Sequence, residues 1–273
     1  SRIHHGTHSD RIYVMHLNTA DIEGLTATLD NLALQNGYGK IVAKIPAWAW
    51  PAFASRDYLK EAAVPCFFNG RTDGYFIAKY FSASRRNDPR MEETLRALLK
   101  GGRRPADRDG RSRGSQHAVA ACRASDAVEM SALYGEAFQS YPFPIHQPAY
   151  LTRLIDEGVG YFGVRKSGRL VAVAAAEIDP RAENAEMTDF ATRPEWRGNG
   201  LAKRLLRHME STVAARGIKT AYTIARAGSE GMNRVFMRQG YQYAGWLTNN
   251  TQIGGRIESM LVWYKLLGRP TPT

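Results

Sequence analysis

The stretch Thr192-Arg193-Pro194-Glu195-Trp196-Arg197-Gly198-Asn199-Gly200-Leu201-Ala202-Lys203-Arg204-Leu205-Leu206 opens at the end of a β-patterned run and closes inside a helical one. Residues 185–192 alternate as a strand does, and the apolar spacing from Asn199 to Arg216 is that of a long amphipathic helix. Between them, Gly198 and Gly200 let the backbone approach a ligand closely, and the first helical turn carries N–H groups with no intrahelical partner. Aided by the helix dipole, such a turn makes a site for a pyrophosphate. The hexapeptide Arg197–Ala202 alone is equally an ordinary glycine turn, so its surroundings decide.

Upstream of it three strands follow one another without a helix, Tyr161–Arg165, Leu170–Ile178 and Ala185–Thr192, separated by the turn signals Lys166-Ser167-Gly168 and Asp179-Pro180. Ahead of these come a strand at 118–123, a helix capped by Ser125-Asp126 and running to about Gln139, and a helix from Pro148 to Glu157. Downstream lie a strand at 220–225, a short helix at 231–238 and strands at 241–247 and 259–267. The order β-α-α-β-β-β-α-β-α-β-β predicts an α/β (α+β) domain over 117–268, with a mostly antiparallel sheet and one central parallel step.

Residues 1–84 read as a smaller α/β module: a strand at 10–17, a helix from Ala20 closed by Asn36-Gly37, a strand at 40–45, a helix over Trp48–Ala63, and two strands around the turn after Pro65–Gly70. The module has no glycine loop of the 197–202 kind and is expected to pack against the larger domain, mediate a homodimer or close its cleft. Tyr13, Trp48, Phe67, Phe68 and Tyr75 are expected in its core. Residues 85–116 add a short helix at 91–100 and an Arg/Gly-rich linker, and 269–273 form a tail.

The charge of +11 and pI near 9.8 attract polyanions, but much of the excess falls in Arg85-Arg86 and in Arg103, Arg104, Arg108, Arg111 and Arg113, which read as solvated segments, so no nucleic-acid partner is expected. No apolar run approaches the roughly 18 residues of a membrane span; even Leu170–Ala176 stops at Glu177. An amino terminus without an export segment, and two distant cysteines, Cys66 and Cys122, fit a cytoplasmic protein without disulfides. His4, His5 and His8 lack the companions of a metal site, and no metal is expected.

Taken with the strand order, the 192–206 stretch resembles the acetyl-CoA-binding motif of the GNAT N-acetyltransferases. Asn233, on the short helix leading to Gly240-Tyr241, resembles a second motif of that superfamily, which lies along the pantetheine arm. Asp10-Arg11-Ile12-Tyr13, Pro65–Gly70, Ala185–Thr192, Asn249-Asn250-Thr251 and Val262–Lys265 look like the β-lysine N6-acetyltransferases, over almost the whole chain. The resemblance implies acetyl-CoA as donor, a small diamine as acceptor, and as product N6-acetyl-β-lysine, a compatible solute of osmoadaptation. It places the donor along Phe190, Ala191, Thr192, Arg197, Gly198, Asn199, Gly200, Leu201, Ala202 and Asn233. Another small amine as acceptor, or an acyl-CoA sensor without turnover, remains an alternative.

Acetyl transfer needs a neutral amine, and an ε-amine with a pKa of about 10.4 is protonated at pH 7. Glu186, on the strand before the loop and at alternation parity with Phe190 and Thr192, is the first choice as general base, directly or through water; binding the substrate cation or pairing with an arginine is its alternative role. Asp189 has the opposite parity and is the second choice, facing the site only if the strand is bulged. The tyrosine many GNAT enzymes use to protonate the leaving thiolate is Phe236 here, leaving Tyr241, Tyr243, Tyr264 or water. Glu177, Asn249, Asn250, Thr251 and Glu258 are candidate acceptor ligands, the three at 249–251 in the connection between the last two strands.

Overall fold

A computed structural model describes residues 1–101 and 118–268; the Arg/Gly-rich linker and the tail read from the sequence lie outside the described residues. The chain opens on a strand the pattern did not announce, β1 (Arg2–Gly6), antiparallel to β2 (Arg11–His16). α1 (Ile22–Asn36) ends at Gly37, whose φ of 67° and N–H bonds to Ala33 and Leu34 close the last turn. β3 (Lys40–Pro46) runs parallel to β2. The helix expected over Trp48–Ala63 shrinks to α2 (Trp50–Ala54), because Leu59 begins a long strand, β4 (Leu59–Phe68), paired with β5 (Thr72–Tyr80). Sheet pairing here overrides a locally helical spacing.

Two short helices follow, α3 (Ala83–Arg86) and α4 (Met91–Gly101). Arg85, read as solvated, is buried, pairs with Asp10 at 2.8 Å and donates to the Ser9 carbonyl. Leu98 of α4 is buried in the same core as Met187, Leu205 and Trp263. The larger half then runs β6 (Val119–Ala121), α5 (Ala127–Ala137), α6 (Pro148–Asp156), β7 (Gly160–Lys166), β8 (Arg169–Asp179), β9 (Asn184–Thr192), α7 (Leu201–Ala215), β10 (Thr220–Arg226), α8 (Glu230–Arg238), β11 (Gln242–Ile253) and β12 (Arg256–Leu266), which is the expected order.

Among the described residues all twelve strands belong to one sheet, in the order β1-β2-β3-β5-β4-β11-β12-β10-β9-β8-β7-β6. It is mostly antiparallel, with parallel steps at β2–β3 and β9–β10. The halves join where Gly245 of β11 faces Ala62 of β4; a Cβ at Gly245 would lie 2.2 Å from the Glu61 carbonyl oxygen, so only glycine permits the approach. Beside this seam the buried Lys40 ammonium reaches Glu61 at 2.8 Å and the Thr248 carbonyl of β11 at 2.7 Å. Phe67 and Phe76 of the first half pack with Tyr222, Leu247 and Val262 of the second.

β8 explains why Leu170–Ala176 is apolar without alternation. Ala172, Ala174 and Ala176 face the core under α7, while Val173 and Ala175 face the one under α5 and α6, so both sides are covered. Among the described residues no helix is long and apolar enough to cross a membrane.

Candidate active site

β9 places the carboxylates. Ala185 and Met187 point into the α7 core, which turns Glu186 to the opposite face. The pairing with β8 then slips, Ala175 facing Thr188 but Val173 facing Ala191, and Asp189 takes φ 55°. This bulge inverts the alternation: Phe190 now packs on the α7 side and Ala191 on the other. Asp189 therefore shares a pocket with Glu186. The parity that grouped Glu186 with Phe190 and Thr192 does not survive the bulge.

β9 and β10 pair only at 184–186 with 220–222 and then part. Into the gap opens a cleft of about 620 Å³ lined by Phe190, Ala191, Thr192, Arg197, Gly198, Gly200, Leu201 and Ala202. Gly198 and Gly200 take φ 80° and 70°, and no side chain caps the start of α7, so its first N–H groups remain available to an anion. Asn199 does not line the cleft; its amide donates to the Trp196 and Arg197 carbonyls at 3.1 and 3.3 Å and holds the loop. Past Phe138, Phe190, Arg226, Ser229 and Met232 the cleft continues as a passage of about 110 Å³. Asp189, Thr188 and Tyr141 line both this passage and the pocket beyond.

That pocket, about 120 Å³, lies between the halves of the molecule. It takes Glu177, Glu186 and Asp189 from β8 and β9, Arg11, Tyr13 and Lys44 from the first half, and Asn250 and Thr251 from β11. On its other side Arg2, Met15, Lys44 and Glu177 lead to an open vestibule of about 410 Å³ with Trp48 on its wall. Trp48 is exposed and does not follow the expected core placement, whereas Tyr13 is buried as expected and also lines the pocket.

Burial raises the Glu186 carboxyl to a pKa of about 7; Lys44 opposes the shift and Glu177 adds to it. Burial, reinforced by Glu177, likewise lifts Asp189 to about 7, against a short hydrogen bond from the Tyr141 hydroxyl. Burial works against the Lys44 charge, but Tyr13, Tyr222 and Glu186 outweigh it and hold the ammonium well above its ordinary pKa; its Nζ donates to the Tyr222 hydroxyl at 2.8 Å.

Other expected ligands sit elsewhere. Asn249, Asn250 and Thr251 belong to β11 rather than to a connection, because that strand resumes pairing with β12 after an irregularity. Asn250 and Thr251 reach the pocket, but the Asn249 amide donates to the carbonyls of Ser84, Arg85 and Asn87 and fastens the segment after β5. Glu258 is buried and paired with Arg226 at 2.7 Å and Arg256 at 3.1 Å, which makes it a support for Arg226 on the cleft wall rather than an acceptor ligand. Asn233, expected along the pantetheine arm, is buried: Nδ2 donates to the Arg226 and Ser229 carbonyls, and Oδ1 accepts from Trp263. It braces the turn between β10 and α8.

Phe236 stacks edge-on between Phe190 and Tyr241. Tyr241 is buried behind it, Tyr243 lies on Trp263, and Tyr264 bonds Gln242, so none of the three faces the passage. The tyrosine that lines it is Tyr141, in the loop between α5 and α6, which no sequence motif marked. Arg11, although within the quoted 10–13 segment, was given no role, and Lys44 was missed, since nothing local distinguishes it from other basic residues on strands.

A backbone anion site at a helix start, joined by a passage to paired carboxylates with raised pKa values, defines a group-transfer enzyme acting on an amine. The family model described as acetyltransferase (GNAT) matches residues 127–241, and the chain belongs to this family of acetyl-CoA-dependent N-acetyltransferases. More particularly, it is similar to the β-lysine N(6)-acetyltransferase of Methanococcus maripaludis, with 33% identity over 94% of this chain and 93% of that one. It is 40% identical to the enzyme of that name from Methanosarcina mazei over 52% of this chain and 53% of that one, and 30% identical to N-acetyltransferase YodP of Bacillus subtilis over 96% and 94%. The fold matches the crystal structure of the ribosomal-protein-S18-alanine N-acetyltransferase from Escherichia coli with a TM-score of 0.50 at 16% identity, over 56% of this chain and 96% of that one.

Proposed function

We propose that the protein transfers the acetyl group of acetyl-CoA to the terminal (N6) amine of β-lysine, forming N6-acetyl-β-lysine, and that the product serves in the cytoplasm as a compatible solute. The observation that carries the reaction is the continuity of the glycine-loop cleft, through the passage at Asp189 and Tyr141, with the pocket holding Glu186. The acceptor is supported by similarity across nearly the full length to relatives of that name.

The cleft residues fit the donor: free N–H groups at the start of α7 face the diphosphate, and the unpaired edge of β9 from 187 to 192 offers amides to the pantetheine. Acetyl-CoA supplies a thioester carbonyl that the amine attacks. Glu177, Glu186 and Asp189 attract the substrate ammonium, and Glu186, with a pKa of about 7, takes its proton directly or through water. N–H groups of β9 beside the bulge stabilise the oxyanion as the C–N bond forms. The nitrogen sheds a second proton as the tetrahedral adduct forms, and when the C–S bond breaks the thiolate takes one proton relayed through Tyr141 or water; of the two protons the ammonium loses, one ends on sulfur and the other passes from Glu186 to solvent.

Incubating the protein with acetyl-CoA and β-lysine, lysine or spermidine, and locating the acetyl group by mass spectrometry, tests the reading. Acetylation at N6 of β-lysine, with the highest kcat/KM of the three, is expected. Preference for spermidine would replace the acceptor while keeping the chemistry, and acetyl-CoA binding with no turnover on any amine would refute the enzyme reading.

A further inference from the structure

Arg11 is a buried cation that the transfer chemistry leaves unused. The residue is 5% exposed, and burial lowers its pKa to about 10, so it stays charged at neutral pH. Its bonds go to neutral groups: Nη1 donates to the Asn250 carbonyl at 2.7 Å and to Thr251 Oγ1 at 2.6 Å. Nε is buried with no partner, and among the described residues Arg11 makes no ion pair. The face of Tyr13 lies 5.1 Å from the guanidinium carbon. A buried charge without a counter-ion is costly, so a site that retains one is completed by an anion.

Beside it, Asn250 is 3% exposed; its Nδ2 donates to Thr251 Oγ1 at 3.2 Å, while its Oδ1 is buried and accepts from nothing. One wall thus presents an unused donor on a cation next to an unused acceptor. Arg11, Asn250 and Thr251 line the pocket with Glu186 and Asp189, but line neither the vestibule nor the passage by which the acetyl group arrives. The pocket therefore joins a carboxylate at the passage, Asp189, to a cationic and amide-lined wall that the passage does not reach.

We infer that Arg11, oriented by Thr251 and the Asn250 carbonyl, binds the carboxylate of the acceptor, while Asn250 Oδ1 accepts from its neighbouring ammonium. This rests on the reading of the pocket as the acceptor site. An amino-acid head is held at one end and the distal amine is delivered to Glu186 and Asp189 at the other. The selecting residues lie at 11 and 250–251, outside the 127–241 segment matched by the acetyltransferase family model. The first half then acts as part of the substrate site rather than as an appendage.

The test compares β-lysine with its carboxamide, which keeps both amines and the shape but lacks the negative charge. The native protein is expected to favour β-lysine by roughly tenfold or more in kcat/KM, chiefly through KM, the range of a hydrogen bond to a charged group. In Arg11→Gln the preference is expected to fall toward unity, with the acetyl-CoA Kd, measured calorimetrically, unchanged. Equal use of the two substrates by the native protein, or an undiminished preference in a folded Arg11→Gln, overturns the clamp while leaving the transferase intact. Acetylation of neither substrate overturns the acceptor reading beneath it. The native comparison decides even if the variant does not fold.

Discussion

Glu186 carries opposed demands of stability and chemistry. Its carboxyl is protonated below about pH 7 in the folded protein but ionises near 4 to 4.5 in an unfolded chain. Between those values the native state holds more protons, so the stabilisation lost to this group grows as pH rises from about 4.5 to about 7 and stays constant above. As the base must be ionised, kcat/KM is expected to climb through about pH 7, as an acid limb in steady-state profiles. Glu186→Gln is expected to lower kcat by roughly 100-fold and remove that limb. The same variant should melt higher than the native protein at pH 8, with the difference shrinking toward pH 5. A native melting temperature that rises from pH 5 to 8 relative to the variant would refute the assignment. Glu186 was legible as a candidate base because a charged residue in an apolar β run before the glycine loop is conspicuous. Arg11 and Tyr141 were not, because their significance lies in what they approach, 239 and 48 residues away along the chain.

At the level of elements, the β9 bulge and the β4–β11 seam do the positioning. The bulge turns a strand that would present alternate residues into one presenting Glu186 and Asp189 together, and local sequence does not reveal it. The seam depends on Gly245. Gly245→Ala would force a Cβ to within 2.2 Å of the Glu61 carbonyl oxygen and 2.5 Å of Ala62, and is expected to cost about 1–3 kcal/mol or more. Gly24→Ala, in the first turn of α1 with nothing within 4 Å, is expected to stabilise by up to about 1 kcal/mol. Urea denaturation of both variants checks the pair; equal midpoints would refute the seam. The α7 start, the three-strand run before it and the α5–α6 pair were legible from period and turn residues. The helix expected at 48–63 stops at Ala54, because residues 59–63 belong to β4, a strand stabilised by partners distant in sequence.

For the whole molecule, the extension of the sheet across both halves is the decisive property. Separating residues 118–268 from the first half would expose Tyr222, Leu247, Met260 and Val262, bare the β11 edge, and remove Arg11, Tyr13 and Lys44 from the pocket. The fragment alone is expected to aggregate or to show no β-lysine acetylation, and coexpression with residues 1–101 to restore soluble, active protein. A soluble fragment with native kcat/KM would show the first half dispensable.

The amino-acid order alone determined the succession of elements in the larger half, the glycine turn at the start of α7, and the class of chemistry, since helical and strand periods, capping residues and a phosphate-binding turn are all written within a few consecutive residues. Which face Asp189 presents, which carboxylates and cations share a pocket, and the role of the first half were decided only by the tertiary structure. Those properties arise from pairings between residues far apart in the chain, and no local pattern encodes a contact whose energy depends on a partner brought in by the rest of the fold.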